Sequence, residues 1–349
     1  MVLFSLIIVL IISFYLLAHV CDDYFVESLD KVAKDLKMSS DVAGATLMAI
    51  GSSAPEFFVS IISVLKPGDY AEIGIGTIVG SALFNLLVII GASAIVRNTI
   101  LAWQPVLRDS IFYSLSIVFL LWSFSDGQIT MIEAGSFIFV YILYVVSVMN
   151  WRKFLPYKDD SQEDIIEKDK ESESSGWTLI FKPFDFLLSK CFLSANHYLI
   201  NFFISISFIG GLSWVLVESA VMISHILHIP QAIIALTVLA IGTSIPDLMS
   251  SIIVARQGRG GMAISNALGS NIFDILIGLG IPWMVILFLT DGPLIVGKEN
   301  LFSSVILLFA SVVVVFIILL IRKWRLGKFS GILLISVYIL YLVWAISNI

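Results

Sequence analysis

Thr46-Leu-Met-Ala-Ile-Gly-Ser-Ser-Ala-Pro-Glu56 recurs, 191 residues later, as Thr237-Val-Leu-Ala-Ile-Gly-Thr-Ser-Ile-Pro-Asp247, with six of the eleven positions identical. Val26-Glu27-Ser28 and Ser60-Ile-Ile return at the same offset as Val217-Glu218-Ser219 and Ser251-Ile-Ile. The stretch that follows repeats at an offset of 189: Gly80, Ser81, Phe84, Asn85 and Gly91 become Gly269, Ser270, Phe273, Asp274 and Gly280. A chance likeness between apolar segments would match Leu and Ile. The matches here are polar residues, Gly and Pro.

The rest of the chain places these motifs in a bilayer. Its 349 residues are 59% hydrophobic and 13% charged, with mean hydropathy +1.02, whereas soluble domains carry about 25% charged residues. A bilayer-crossing helix needs about 20 apolar residues, and it closes its own backbone hydrogen bonds where water is absent. The apolar runs are unalternated, which points to helices rather than a membrane β-barrel. Ten spans are expected. The first covers about Val2 to Val26, read as a span rather than a cleaved leader. The others centre near Ile50, Leu86, Val118, Tyr141, Ile209, Leu239, Leu276, Val312 and Val337.

Charge supports this alternation. With the amino terminus outside, eighteen of the twenty Lys and Arg fall in inner loops, Arg97, Arg108, Arg256, Arg322 and Lys328 among them, and only Lys66 and Lys298 fall outside. That is the positive-inside bias. Lys158 to Ser174 holds eight acids and three lysines and reads as a disordered, solvated loop. The two cysteines, Cys21 and Cys191, form no framework or metal motif. The expected organisation is a first five-span repeat over 1–150, a cytoplasmic acidic loop over 151–195 and a second five-span repeat over 196–349. Both termini are extracytoplasmic. An odd number of spans per repeat inverts the second copy, the architecture of secondary transporters. The fold class is all-α and polytopic, with broken helices at the centre.

The repeat centres carry the chemistry. Pro55 and Pro246 lie mid-span, and each removes a helix hydrogen bond and displaces a carbonyl four residues earlier. Oxygens near Ala49 to Gly51 and Ala240 to Gly242 are thereby expected to be free for a cation. Glu56 and Asp247 follow the prolines, and Asp274 lies mid-span. Charges at this depth cost at least about 2.5 kcal/mol each, and no basic residue is expected beside them. Ser52 and Ser53 lie four and three residues before Glu56, so they share its face if the helix holds. Thr243 and Ser244 repeat that spacing before Asp247. Ser81 and Ser270 lie four residues before Asn85 and Asp274. A set of carboxylate, carboxamide, hydroxyl and carbonyl oxygens, without thiolate or imidazole, suits Ca²⁺ and alkali ions. Glu27 and Glu218 read as structural or gating residues near span ends, and the four histidines as interfacial. Trp103, Trp122, Trp151, Trp283 and Trp324 read as interface anchors. No hydrolase or protease motif is present, so no enzyme is expected.

Gly44-Ala-Thr-Leu-Met-Ala-Ile-Gly-Ser-Ser-Ala-Pro-Glu56 and Ala240-Ile-Gly-Thr-Ser-Ile-Pro-Asp247 resemble the two alpha repeats of the calcium/cation antiporter superfamily. Ile253 through Trp283 and Cys21-Asp-Asp-Tyr-Phe-Val26 resemble its potassium-dependent sodium/calcium exchangers. The resemblance implies a central site with Glu56, Asp247, Asp274, Asn85, Ser52, Ser53, Thr243, Ser244, Ser81 and Ser270 at ligand positions. It implies Na⁺/Ca²⁺ exchange, with K⁺ carried beside Ca²⁺, in the cell membrane. The expected partners are the lipid bilayer and inorganic cations, with no cofactor and no nucleic acid. The alternatives are Ca²⁺/H⁺ exchange and K⁺-independent exchange on the same fold. Proton-coupled relatives usually have histidine after the motif carboxylate, where Phe57 and Leu248 stand here. Channels and intramembrane enzymes are rival classes that two opposed broken helices do not favour.

Overall fold

A computed structural model describes residues 2–36, 47, 49–66, 70–155, 178–194, 197–256, 258, 260–290, 292–296 and 299–347. Thr46, Met48, the acidic stretch Lys158 to Ser174 and the basic residues Lys37, Arg259 and Lys298 lie outside the described residues.

The chain is almost wholly helical. In order, the helices are α1 (Val2–Val20), α2 (Val26–Asp35), α3 (Ala49–Ser52), α4 (Ala54–Leu65), α5 (Ala71–Phe84), α6 (Ile90–Val96), α7 (Trp103–Ser123), α8 (Met131–Phe154) and α9 (Thr178–Cys191). They continue as α10 (Tyr198–Leu227), α11 (Gln231–Ile234), α12 (Ala240–Thr243), α13 (Ile245–Arg256), α14 (Gly260–Leu276), α15 (Gly280–Leu289), α16 (Glu299–Ile321) and α17 (Lys328–Ser347). Wide π-helical turns join α1 to α2, α5 to α6 and α11 to α12 without ending the rod.

Eight helical stretches among the described residues are long and apolar enough to cross a bilayer, fewer than the ten anticipated. The difference lies at the prolines. Gln231–Thr243 and Ile245–Arg256 make a ninth candidate only as a pair bent by 42°. Ala54–Leu65 is apolar, but at 12 residues it is short of a span, and most of the preceding stretch is outside the described residues.

Two short ribbons mark the ends of the bundle. β1 (Thr99–Ile100) pairs antiparallel with β4 (Arg325–Leu326), and β2 (Gln128–Ile129) pairs with β3 (Leu294–Ile295). The 21-residue α7 runs between the two ribbons, so they lie at opposite ends. The guanidinium of Arg97 donates to the Arg256 carbonyl at 3.1 Å. Arg97, Arg256, Arg322, Lys323, Arg325 and Lys328 therefore share one end.

Two expectations change in the interior. Arg108 is not a loop residue. It sits in the second turn of α7, 6% exposed, and its Nε donates to buried Asp109 Oδ1 at 2.7 Å. The Tyr144 hydroxyl donates to the same oxygen at 3.2 Å. A buried ion pair needs such extra hydrogen bonds to offset desolvation. Trp283 is not an interface anchor either. It is fully buried, against Phe124 and Phe137, because Gly280 lets α15 lie close to Phe137. His19 is engaged, with Nδ1 3.0 Å from Asp23. Glu27 and Glu218 pair with Lys31 at 3.0 Å and Lys66 at 2.5 Å, consistent with structural roles.

Small residues bring the repeat centres together. On α5, a Cβ at Gly76 would stand 2.9 Å from Ala235 Cβ, and one at Gly80 would stand 2.6 Å from Ala240 Cβ and strike the Leu236 carbonyl. This is the small-xxx-small crossing of membrane helices. Gly269 is the repeat equivalent of Gly80, yet a Cβ there would meet nothing nearer than Tyr144 Oη at 3.7 Å. Gly80→Ala is therefore expected to destabilise the protein by about 1–3 kcal/mol through overpacking, whereas Gly269→Ala leaves the melting temperature nearly unchanged. Thermal unfolding of the two variants in detergent checks this, and equal shifts would contradict the crossing.

Candidate functional site

The two proline motifs break their helices alike. Ser53, between α3 and α4, has φ −93° and ψ 6°, and Ser244, between α12 and α13, has φ −89° and ψ 3°. Pro55 and Pro246 have no N–H to give to Gly51 or Gly242. The release of carbonyls is narrower than the sequence suggests. Ser53 N donates to Ala49 O at 3.0 Å and Ser244 N to Ala240 O at 3.3 Å, so those two oxygens stay engaged.

The breaks redirect the hydroxyls. Ser52 and Ser53 do not line the Glu56 face, because the helix does not continue from one to the other. The hydroxyls of each broken helix instead serve the opposite one. Ser244 Oγ donates to Glu56 Oε1 at 3.2 Å, and Thr243 also faces Glu56. Ser52 faces Asp247 and lies 3.1 Å from Ser270 Oγ. Ser81 is central, with Glu56 Oε1 at 3.4 Å, Ala240 O at 3.3 Å and Thr243 Oγ1 at 3.4 Å. Asn85 lies against Asp247, and Asp274 faces the Ser53 hydroxyl, with Glu56 in electrostatic reach of both acids. Beyond Asn85 the helix widens into its π-turn. Beyond Asp274 the Gly278 amide reaches back five residues to Phe273 O at 3.0 Å. Such widened turns cluster at functional positions.

The structure thus gathers all ten anticipated residues, nine of them buried and Ser52 partly exposed. Several oxygens in this set are sealed from water yet make no hydrogen bond of good geometry: Glu56 Oε2, Asp247 Oδ1, both oxygens of Asp274, Asn85 Oδ1 and Ser53 Oγ. Among the described residues no Lys, Arg or His forms an ion pair with Glu56, Asp247 or Asp274. No three His, Cys, Asp or Glu side chains among them close into a metal cluster by themselves. The arrangement is three carboxylates, Glu56, Asp247 and Asp274, surrounded by neutral oxygens. Buried charge without a partner is costly, and hard cations meet that need with oxygen ligands.

The family model for sodium/calcium exchanger proteins matches residues 6–150 and 197–347, both halves of the chain. The chain belongs to the sodium/calcium exchanger protein family. Among curated members it is 28% identical to sodium/potassium/calcium exchanger 4 of Mus musculus, over 95% of this chain and 79% of that one. It is 30% identical to sodium/potassium/calcium exchanger 5 of Homo sapiens, over 95% and 81%. Solved structures of the sodium-calcium exchanger NCX_Mj share its fold, with TM-score 0.60 at 23% identity over 98% of both chains. These relatives are exchangers, not enzymes.

In this sodium/calcium exchanger family member, one further residue that the repeat does not mark lies at the centre. Asn271 is fully buried and bonds to Asn85, Ala82 O and Tyr113 Oη, each at 3.0 Å. Its signal was a carboxamide three residues before Asp274 on the same helix. Repeat matching passed over it, because its counterpart is Ala82.

Proposed function

We propose that the chain is a secondary antiporter that exchanges Na⁺ for Ca²⁺ by alternating access, with K⁺ travelling beside Ca²⁺. The observation that carries this reading is the set of sealed, unpaired carboxylates at two matching helix breaks, surrounded by hydroxyl and carboxamide oxygens. Ca²⁺ takes six to eight oxygens in loose geometry, and the same oxygens regroup around Na⁺. Glu56 and Asp247 balance the divalent charge. Asp274 balances a monovalent cation. All ten residues act as ligands or immediate supports.

The same reading takes the chain as ten spans in two inverted five-span repeats, 1–150 and 196–349, joined by the cytoplasmic segment 151–195. Matching dihedrals at Ser53 and Ser244 and the reciprocal service of hydroxyls support that symmetry. Alternating access then amounts to rocking of one part against the other around a fixed site. The protein resides in the plasma membrane with both termini outside. A single cysteine at Ser161, with Cys21 and Cys191 replaced by Ala, is expected to react with an impermeant maleimide only in inside-out vesicles. Reaction in intact cells would reverse the orientation.

The functional test is Ca²⁺ uptake by purified protein in liposomes, under imposed Na⁺, K⁺ and H⁺ gradients in turn. An outward-directed Na⁺ gradient (higher Na⁺ inside) is expected to drive uptake, with K⁺ supplied on the Ca²⁺ side stimulating it. Uptake driven by H⁺ without Na⁺ would replace Na⁺/Ca²⁺ exchange by Ca²⁺/H⁺ exchange.

A further inference from the structure

The turn Arg322-Lys-Trp-Arg-Leu-Gly-Lys328 joins α16 to α17 and carries four cations. Both helices are long and apolar enough to cross a bilayer, so the turn lies at the depth of lipid headgroups. A cavity of about 520 Å³ opens there, lined by Arg322, Arg325, Lys328, Asn98 and Ser330 among others, and no acid lines it. Lys31, Lys66 and Arg108 have carboxylate partners, but among the described residues Arg322, Arg325 and Lys328 form no ion pair. Arg322 lies instead over the Phe329 ring, 5.5 Å from its centroid. Stacking occupies the face of the guanidinium and leaves its N–H fork for an acceptor. Ser330 is 4% exposed, and its hydroxyl makes no hydrogen bond with another described residue. Phe329 and Ile100, also on the cavity, are 69% and 67% exposed and give it an apolar rim.

The other ribbon shows that such a turn needs none of this. Ser125-Asp-Gly-Gln-Ile-Thr-Met131 joins α7 to α8 in the same way, with Gln128-Ile129 paired where Arg325-Leu326 is paired here. Gly127 at φ 78° stands in the place of Trp324 at φ 61°. That turn has no cation. Its helix also starts with its own acceptors: Glu133 Oε2 accepts from Thr130 N at 2.8 Å, and Thr130 Oγ1 accepts from Glu133 N at 3.4 Å, a capping box. The matching positions before and in α17 are Gly327 and Ser330. The carboxylate is gone, and three cations line the space beside it.

We propose that this cavity binds the phosphate of an anionic phospholipid from the adjoining leaflet. Arg322 and Arg325 take phosphate oxygens through paired N–H groups, and Lys328 adds a point charge. Ser330 and Asn98 hydrogen-bond the remaining headgroup oxygens, and the acyl chains leave over Phe329 and Ile100. The volume is that of a small-molecule site rather than of a bare phosphate, and basic pockets between membrane helices hold headgroups in this way. Asn98 and Ile100 follow α6, so the lipid joins that segment to the α16–α17 turn, well apart from the buried carboxylates.

The test is thermal unfolding of the purified full chain in dodecyl maltoside with increasing dioleoyl phosphatidic acid. A ligand of the folded state raises the melting temperature, and the lipid concentration at half the full rise reads its affinity. Phosphatidic acid is expected to give a saturable rise, dioleoyl phosphatidylcholine a much smaller one, and inorganic phosphate at equal concentration none. Arg322→Gln combined with Arg325→Gln is expected to raise the half-saturating lipid by about tenfold or more, each cation near the surface contributing roughly fivefold. Lys328→Gln, expected to cost about fivefold, is the second variant should the first not fold. Lys323→Gln changes the same turn but does not line the cavity, and is expected to shift the value less than about twofold. No saturable rise with phosphatidic acid would overturn the proposal, as would an equal rise with phosphatidylcholine. Inorganic phosphate as effective as the lipid would make the site one for a free anion and overturn it too. So would a loss in Lys323→Gln equal to that in Lys328→Gln, since the attraction would then belong to the whole basic surface.

Discussion

Glu56→Gln and Asp247→Asn are each expected to abolish Na⁺-driven Ca²⁺ uptake while the purified protein remains monodisperse. Each change keeps the side-chain volume and removes one of the two charges proposed above to balance Ca²⁺. The remaining member of that pair cannot by itself balance a divalent ion, Asp274 being assigned to the monovalent cation, and no Lys, Arg or His pairs with these acids among the described residues. Stranding a buried charge without its counterpart costs roughly 3–5 kcal/mol, or more than about a hundredfold in half-saturating Ca²⁺. Folding is spared for the same electrostatic reason: a neutral amide in this pocket costs less to desolvate than the carboxylate it replaces. Gln at position 56 also keeps an oxygen for the Ser244 and Ser81 hydroxyls that now donate to Glu56. The measurement is uptake in proteoliposomes beside gel filtration of the same preparation. Transport by either well-folded variant at the unmodified rate and Ca²⁺ affinity would remove that residue from the ligand set.

Asp274→Asn is expected to act on K⁺ rather than on Ca²⁺. It makes the position chemically equal to its counterpart Asn85 and takes one negative charge from the site. If Glu56 and Asp247 answer for Ca²⁺, the charge removed is the one that balances a monovalent companion. The predicted result is a loss of K⁺ stimulation, or a shift of at least about tenfold in half-saturating K⁺, with a smaller change for Ca²⁺. That tenfold corresponds to about 1.4 kcal/mol, modest for a charge in a low-dielectric site. Uptake with and without K⁺, in both proteins, reads it directly. A starting protein indifferent to K⁺ would sink K⁺ co-transport and leave plain Na⁺/Ca²⁺ exchange standing. Equal stimulation of both proteins would place K⁺ elsewhere.

What sequence by itself determined about this protein is what local covalent chemistry and the bilayer impose. Helix positions followed from apolar runs, because a segment in lipid must satisfy its own backbone. The breaks at Ser53 and Ser244 followed from Pro55 and Pro246, because a missing N–H acts within one turn. Glu56, Asp247 and Asp274 stood out because acids at that depth are too costly to keep without a use. The structure gathers them with the repeat-matched hydroxyls and Asn85 in one site, where all but Ser52 are buried.

Only the tertiary structure decided who serves whom. The spacing put Ser52 and Ser53 on the face of Glu56 if the helix held, yet Ser244 donates to that acid and Ser52 faces Asp247, the helix being interrupted at Ser53. Gly80 and Gly269 are alike in sequence, but only Gly80 lies in a backbone crossing. Asn271, the Arg108–Asp109 pair with Tyr144, and the burial of Trp283 carried no repeat signal. Apart from that of Ser81 to Glu56, the bonds that orient the site join residues between 158 and 218 positions apart. Helix crossings set such pairs, and a crossing depends on two surfaces at once, whereas periodicity and proline chemistry describe one segment at a time.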